Sequence, residues 1–360
     1  MSKARELAEL GAVYDSGALS NRNLMINGAM LIDQRNSGSA ITPTSDQTFT
    51  ADRFKARLNV ASKYSVQQVT DAPSGFYNSL KVTSAAATTP GTNDYYQIST
   101  QLEGYNTDVL QQGTSAAKQY TLSFYVKSSL TGTFGGGYSN NAGDRFYAWS
   151  YTIDAANTWE RKSITITGAT DGTWLQTNNS GLWTYWTLGA GSGVQTTAGA
   201  WGTTFKRGPT GATDVVATSG ATWQITGIQL EVGTEATPFE HRSFGDDLAR
   251  CQRYYYRRTG DPDANYIPLA TAYLTTAIFA AELHPVQMRA NPSVTISGNI
   301  RAIDGNTSSK ISSSHSITSL SRIDTLVWYT NACFSSLTQY RPYFINGETS
   351  AGYMEVSAEL

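Results

Sequence analysis

From residue 24 onward the apolar residues recur at every second position in short runs, each closed by Gly, Asn, Asp, Ser or Pro. Successive side chains of a strand point to opposite faces, so a period of two marks strands with one buried and one exposed face. In the run from Tyr120 to Val126, the residues Tyr120, Leu122, Phe124 and Val126 share one face, and Thr121, Ser123 and Tyr125 the other. At Trp223, Ile225 and Gly227 the pattern slips by one residue to Ile228, Leu230 and Val232, which predicts a β-bulge. Runs of this kind predict strands over 24–32, 53–58, 64–68, 79–82, 95–101, 118–128, 144–153, 160–167 and 222–232. Roughly eight to ten strands over about 220 residues favour a two-sheet sandwich or jelly roll, which leaves few and short exposed edges.

Thr237-Pro238-Phe239 and the polar stretch to Asp247 separate this block from a second one, whose alternating runs fall at 266–283, 293–303, 316–320, 324–330, 340–345 and 353–360. With 360 residues there is room for two or three cores of ordinary size. The expected fold class is therefore all-β: a jelly-roll β-sandwich over 21–244, then a smaller β-sandwich over 245–360. Residues 1–20 form a separate segment, in which Ala4, Leu7, Leu10 and Tyr14 recur at helical steps among Lys3, Arg5, Glu6 and Glu9. So short a helix does not stand alone, and its apolar stripe needs a partner.

Charge and motif exclude several functions. The 26 basic and 28 acidic residues leave a net charge of −2, too little to hold phosphates or an anionic membrane, so neither nucleic acid nor membrane insertion is expected. No apolar run approaches the roughly 18 residues that span a bilayer. The opening Met1-Ser-Lys-Ala-Arg-Glu6 has no signal-peptide core, and the chain is expected to stay where it is made. Cys251 and Cys333 are too sparse for a disulfide framework, and His241, His284 and His315 stand beside no cysteine, so no transition metal is expected. The Gly-rich stretches 131–137 and 189–202 read as loops or hairpin tips, since no Lys-Ser/Thr follows as in a phosphate loop. No repeat of fixed period argues for a solenoid. The run Arg253-Tyr-Tyr-Tyr-Arg-Arg258 reads as a strand with core tyrosines and paired arginines rather than a nucleic-acid platform.

Three stretches resemble modules of bacteriophage tail fibres. Asn21-Arg-Asn-Leu-Met-Ile-Asn-Gly-Ala-Met30 with Asp33-Gln-Arg35 looks like their opening strand. The series from Leu122-Ser-Phe-Tyr-Val126 through Asp154-Ala-Ala-Asn-Thr-Trp-Glu160 to Thr226-Gly-Ile-Gln-Leu-Glu-Val-Gly233 and Thr237-Pro-Phe-Glu240 is similar to carbohydrate-binding-module jelly rolls. Cys251-Gln-Arg-Tyr-Tyr255, Met288-Arg-Ala-Asn-Pro292 and Ser357-Ala-Glu-Leu360 look like a C-terminal module that follows such a jelly roll. The resemblance implies a virion tail-fibre subunit, a homotrimer made in the host cytoplasm. It would attach to tail or baseplate proteins through Ala4, Leu7, Leu10 and Tyr14, and contact a host surface glycan. It implies no cofactor. Such jelly rolls often hold a structural calcium ion on loop oxygens, although no compact Asp-x-Asp-Gly pattern is present here.

Seven of the eight tryptophans lie between residues 149 and 223. Flat aromatic faces suit the C–H faces of sugars, and Asn or Gln neighbours supply hydrogen bonds. This makes Trp174, Trp183, Tyr185, Trp186 and Trp201, with Asn178 and Asn179, the candidate carbohydrate-binding residues. Large aromatics more often fill cores and subunit seams, and Trp149, Trp159 and Trp223 are assigned to the core on their strand positions. A structural fibre or connector without receptor contact is the alternative. Catalysis is not expected: no histidine fits a nucleophilic triad, and nothing places Asp94, Glu103, Asp144, Asp154, Glu160 and Asp171 as the carboxylate pair of a depolymerase.

Overall fold

The structure is a computed structural model that describes Lys3 and residues 21–259, 267–304, 309–312, 317–330, 333–348 and 352–360. The helix expected near the start, with Ala4, Leu7, Leu10 and Tyr14, lies outside the described residues. The chain divides into two compact units, Met1–Phe244 and Gly245–Leu360.

The strands of the first unit are β1 (Thr48–Phe49), β2 (Phe54–Leu58), β3 (Tyr64–Val69), β4 (Ser79–Ser84), β5 (Tyr95–Glu103), β6 (Tyr120–Ser128) and β7 (Gly132–Ser139). They continue with β8 (Phe146–Ile153), β9 (Glu160–Ile166), β10 (Ser180–Ala190), β11 (Gln195–Thr196), β12 (Trp201–Gly202), β13 (Gly208–Pro209) and β14 (Thr222–Val232). A seven-stranded sheet runs β1-β2-β5-β10-β7-β8-β12 and a five-stranded sheet β3-β4-β14-β6-β9, while β11 and β13 form a small parallel pair. The chain passes repeatedly between the two large antiparallel sheets, and their apolar faces meet in one core, as a jelly-roll sandwich requires. Phe54, Ile98, Trp149 and Trp186 enter it from the larger sheet; Leu122, Phe124, Val126, Trp223 and Ile225 from the smaller. Phe124 lies 6.0 Å from Trp186 and 6.1 Å from Trp149, ring centroid to centroid. The predicted bulge is present, with a register shift between Thr226 and Gln229 and Gly227 at φ +62°.

Three expectations change. Residues 24–32 are not a strand. Asn27 and Met30 sit at φ +58° and +55°, which turns the backbone out of the extended form. The Asn27 amide satisfies it instead, donating to the Ile32 and Asp52 carbonyls at 2.8 and 2.9 Å and accepting from Ile32 N at 3.0 Å. The Gly-rich stretch 131–137 is not a loop but most of β7, in the middle of the larger sheet. A Cβ at Gly136 would stand 1.8 Å from the Tyr185 carbonyl oxygen and 2.5 Å from the Trp149 ring, and one at Gly137 would stand 2.4 Å from Phe146. Neighbouring aromatic rings thus take the room that side chains of β7 would need. The stretch 189–202 likewise holds the end of β10, β11 and β12. Trp159 is not in the core: it precedes β9, half-buried, with the Lys127 ammonium 5.1 Å over its ring.

The helix α1 (Phe244–Gln252) starts at the last residue of the first unit and opens the second. Asp246 and Asp247 in its first turn and Arg250 in its last complement the helix dipole. The strands are β15 (Tyr255–Thr259), β16 (Ile267–Leu274), β17 (Ala277–Leu283), β18 (Ser293–Ser297), β19 (Ile300–Ile303), β20 (Ser309–Ser312), β21 (Ile317–Ser319), β22 (Thr325–Thr330), β23 (Pro342–Gly347) and β24 (Tyr353–Ser357). The sheets β15-β24-β18 and β20-β19-β23-β16-β17-β22-β21 enclose a second core around Ile278, Trp328, Ile345 and Val356. The run 266–283, read as one strand, folds back as the antiparallel pair β16 and β17. Cys251 and Cys333 form no disulfide.

Candidate functional site

Strand β10 sets the geometry. Its alternation sends Leu182, Thr184 and Trp186 toward the five-stranded sheet, and Trp183 and Tyr185 to the outer face of the larger sheet. Trp186 is therefore a core residue, fully buried between Phe54, Phe124 and Trp149 at centroid distances of 6.5, 6.0 and 6.1 Å. It belongs with Trp149 and Trp223 and not among ligand-facing aromatics. The reason is parity: residues 183 and 186 differ by three, so they lie on opposite faces of one strand.

Trp174 and Trp201 meet edge to face 5.7 Å apart against the first core, both half-buried. Their indole N–H groups are spent on backbone, donating to the Asp171 and Thr167 carbonyls at 2.9 and 2.7 Å. Asn178 is half-buried and Asn179 exposed in the segment leading to β10, where the Asn179 carbonyl accepts from Gly104 N at 2.8 Å. None of these four lines the cleft that contains Trp183.

This cleft, of about 240 Å3, opens on the outer face, lined by Arg57, Ser139, Asn140, Asn141, Gly143, Trp183, Phe205 and Arg207. The register explains how these residues meet. Trp183 pairs with Ser139 on one side and Gln101 on the other, while Arg57 of β2 pairs with Gln97 of β5 and Gln97 with Thr187 of β10. Gly135 and Gly137 occupy the outer face of β7 and lower the middle of the sheet. The segment after β12 folds back over this face: Phe205 packs on Tyr185 and Phe146 at 5.7 and 5.5 Å. Tyr185, fully buried beneath it, supports the floor.

The cleft is polar and basic at its sides. Arg57 holds Asp46 through two hydrogen bonds, Nε to Oδ1 at 2.9 Å and a terminal nitrogen to Oδ2 at 3.2 Å, with its guanidinium 5.2 Å from the Trp183 ring centroid. Burial is the largest single influence on Arg57 and opposes its charge, but the hydrogen bond and charge of Asp46, with Tyr185 and Tyr95, together raise the pKa; burial likewise opposes the Asp46 charge, and Arg57 with the Leu58 and Gln47 N–H groups together holds that carboxyl low. Arg207 lies 3.7 Å from the Tyr95 ring centroid and 4.6 Å from that of Phe205. Burial pushes its pKa down. The Trp183 indole N–H and the Tyr185 hydroxyl have no hydrogen-bond partner among the described residues. A ligand ring laid on Trp183 would find two guanidinium groups and amide side chains around it.

The carboxylates weighed for catalysis lie elsewhere. Asp171 pairs with Arg145, Asp154 and Glu160 with Lys162, Asp144 accepts from Asn140, and Asp94 accepts from Gly91 N. Among the described residues no three His, Cys, Asp or Glu side chains converge to hold a metal. The residues that sequence reasoning missed are Arg57, Ser139, Asn141, Phe205 and Arg207. Period two along β10 was the one local signal, since it separates Trp183 and Tyr185 from Trp186.

No protein-family model and no curated protein matches this sequence. Among solved structures, the chain is similar to the enzymatically active domain of tailspike protein 4 from bacteriophage CBA120, at 11% identity and a TM-score of 0.32. That match covers 59% of this chain and 21% of the other, so the chain spans only a small part of that protein's length. It is also similar to the family 11 carbohydrate-binding module of a Clostridium thermocellum cellulosomal cellulase (13% identity, TM-score 0.27, 55% and 98% covered). A third is the module TmCBM61 solved with β-1,4-galactotriose (10% identity, TM-score 0.29, 60% and 100% covered). At these identities and scores the matches carry no argument about activity, and the jelly-roll assignment rests on the two sheets described above.

Proposed function

We propose that the first unit binds a glycan in the outer-face cleft, with Trp183 as the stacking platform. The observation that carries this reading is a half-buried tryptophan lining a cleft walled by Phe205 and bordered by Arg57, Asn141 and Arg207. A sugar needs that combination, an apolar face for its C–H side and fixed polar groups for its hydroxyls. No carboxylate lines the cleft, which favours binding over hydrolysis.

In this reading the chain is a tail-fibre subunit that contacts the host cell surface. Support comes from the tail-fibre-like stretches at Asn21–Arg35 and Cys251–Tyr255. Self-association, as the homotrimer such proteins form, is supported by apolar side chains exposed on one face of the larger sheet of the second unit, among them Leu269, Phe279 and Phe344.

Glycan arrays and binding to host surface polysaccharide test the proposal. Trp183→Ala is expected to weaken binding by tenfold or more, on the order of the 1–3 kcal/mol such stacking contacts are worth, while Trp174→Ala leaves it within about twofold. Equal binding by wild type and Trp183→Ala would move the site away from this cleft.

A further inference from the structure

We infer that the cleft selects an acidic glycan, one whose sugar carries a carboxylate, and that the Arg207 guanidinium receives that carboxylate. The inference rests on the glycan reading of the same cleft and adds the class of sugar.

Several arginines of this protein are matched with acids. Arg57 holds Asp46, Arg145 holds Asp171, Arg242 holds Glu240 and Arg258 holds Glu282. Arg207, which lines the cleft, differs from these. Among the described residues it forms no ion pair, and the one hydrogen bond of its guanidinium is a long one, 3.4 Å to Gln97 Oε1. A half-buried cation without an anion is costly, and folds keep one where a function uses it.

Its backbone and its plane are nevertheless held firmly. The Arg207 carbonyl accepts from Gln97 Nε2 and from Thr187 Oγ1, both at 2.6 Å, and its N–H donates to the Val194 carbonyl at 2.6 Å. Tyr95 and Phe205 supply the ring faces on which the guanidinium rests. Three hydrogen bonds thus set the main chain and two rings set the fork, while most of the guanidinium N–H groups stay uncommitted. A planar fork fixed in this way matches a carboxylate through two parallel hydrogen bonds. Arg57, the second guanidinium at the cleft, is already occupied on its Asp46 side. It adds positive potential, and with Arg207 it outnumbers that one carboxylate by two to one. Trp183 is left to stack on the ring that bears the acid.

The test is a glycan array carrying neutral, uronate-containing, sialylated and sulfated glycans, followed by titration of each binding uronate or sialylated glycan against its carboxyl-reduced form. Wild type is expected to bind carboxylated members at least tenfold more tightly than their reduced forms, and to lose affinity steeply between low and high salt. Arg207→Met keeps an apolar stem between Tyr95 and Phe205 and is expected to bind both forms alike. Arg207→Lys, which keeps the charge without the fork, should recover only part of the preference. Thermal melting of each variant confirms that the fold survives. Neutral glycans binding as well as acidic ones, or Arg207→Met retaining the preference, overturns the acidic assignment and leaves glycan binding standing. Sulfated glycans binding better than carboxylated ones overturns the carboxylate assignment in favour of a general anion site. Binding to no member of the array by wild type overturns both readings.

Discussion

Glu240 accepts hydrogen bonds from Asn21 N at 2.5 Å and Asn23 N at 2.8 Å, and Arg242 bonds the Met25 and Asn23 carbonyls. Asn23 in turn ties to the Ile228 carbonyl and Leu230 N, and Gln229 Oε1 accepts from Glu240 N at 2.7 Å. The opening stretch from Asn21 and the Gln229-Leu-Glu231 stretch are thus halves of one clasp within the first unit. In the second unit His284 plays a comparable part. Its Nε2 donates to the Arg322 carbonyl at 2.9 Å, and in the neutral ring Nδ1 then accepts from the Tyr256 hydroxyl at 2.8 Å. Burial lowers the His284 pKa from its ordinary 6.5, against the opposing pull of the Arg322 carbonyl and Glu282. The unfolded chain therefore takes up the proton first as pH falls. The stability due to neutral His284 is present above 6.5 and is lost as pH drops through the lower folded value. Amide hydrogen exchange in β16, β17 and β22 should quicken between about pH 7.5 and pH 5.5 beyond the intrinsic pH effect, and His284→Gln should flatten that excess. An excess of the same size in the variant would assign it to other groups.

At the scale of elements, β7 and β10 are the pair on which the site depends, and both were hard to read. β7 carries Gly135, Gly136 and Gly137 in succession, which by composition is a loop. It is a strand because Trp149, Phe146 and Pro209 fill the space beside its backbone and because β8 and β10 pair with it on both sides. Gly136→Ala should cost about 3 kcal/mol through overpacking, read as a lowered urea midpoint. Gly245→Ala, in the first turn of α1 with nothing within 4 Å of its Cβ, should be neutral or stabilising. A midpoint for Gly136→Ala equal to wild type would contradict the placement of β7. In contrast β6 and β14 were legible, since each has one clean core face and the bulge at Gly227 shows as a break in the alternation.

For the whole molecule, the apolar face of the second unit bears on assembly. Leu269, Phe279 and Phe344 are 56%, 39% and 45% exposed on one sheet face, and a groove of about 450 Å3 between Tyr273, Phe279, Leu320, Tyr329 and Tyr340 adjoins them. Exposed apolar side chains grouped on one sheet face are what a contact between copies would cover. Light scattering is expected to give a trimer mass for the wild type and a monomer mass for Leu269→Asp combined with Phe279→Asp. An unchanged mass in the double variant would place the contact elsewhere.

The sequence by itself determined the all-β class, most strand positions and the bulge, because each follows from neighbours two residues apart or from composition. It also drew attention to the tryptophan-rich region. Only the tertiary structure decided which tryptophan lines the cleft. Alternation says that Trp183 and Trp186 face opposite ways, but which way is outward depends on where the five-stranded sheet lies. The same holds for Arg57, Ser139 and Arg207, distant in sequence, which pairing through β5, β7 and β10 and the fold-back at Phe205 bring to one cleft. No local pattern encodes such a meeting, since it is set by packing between elements and not by the residues on either side.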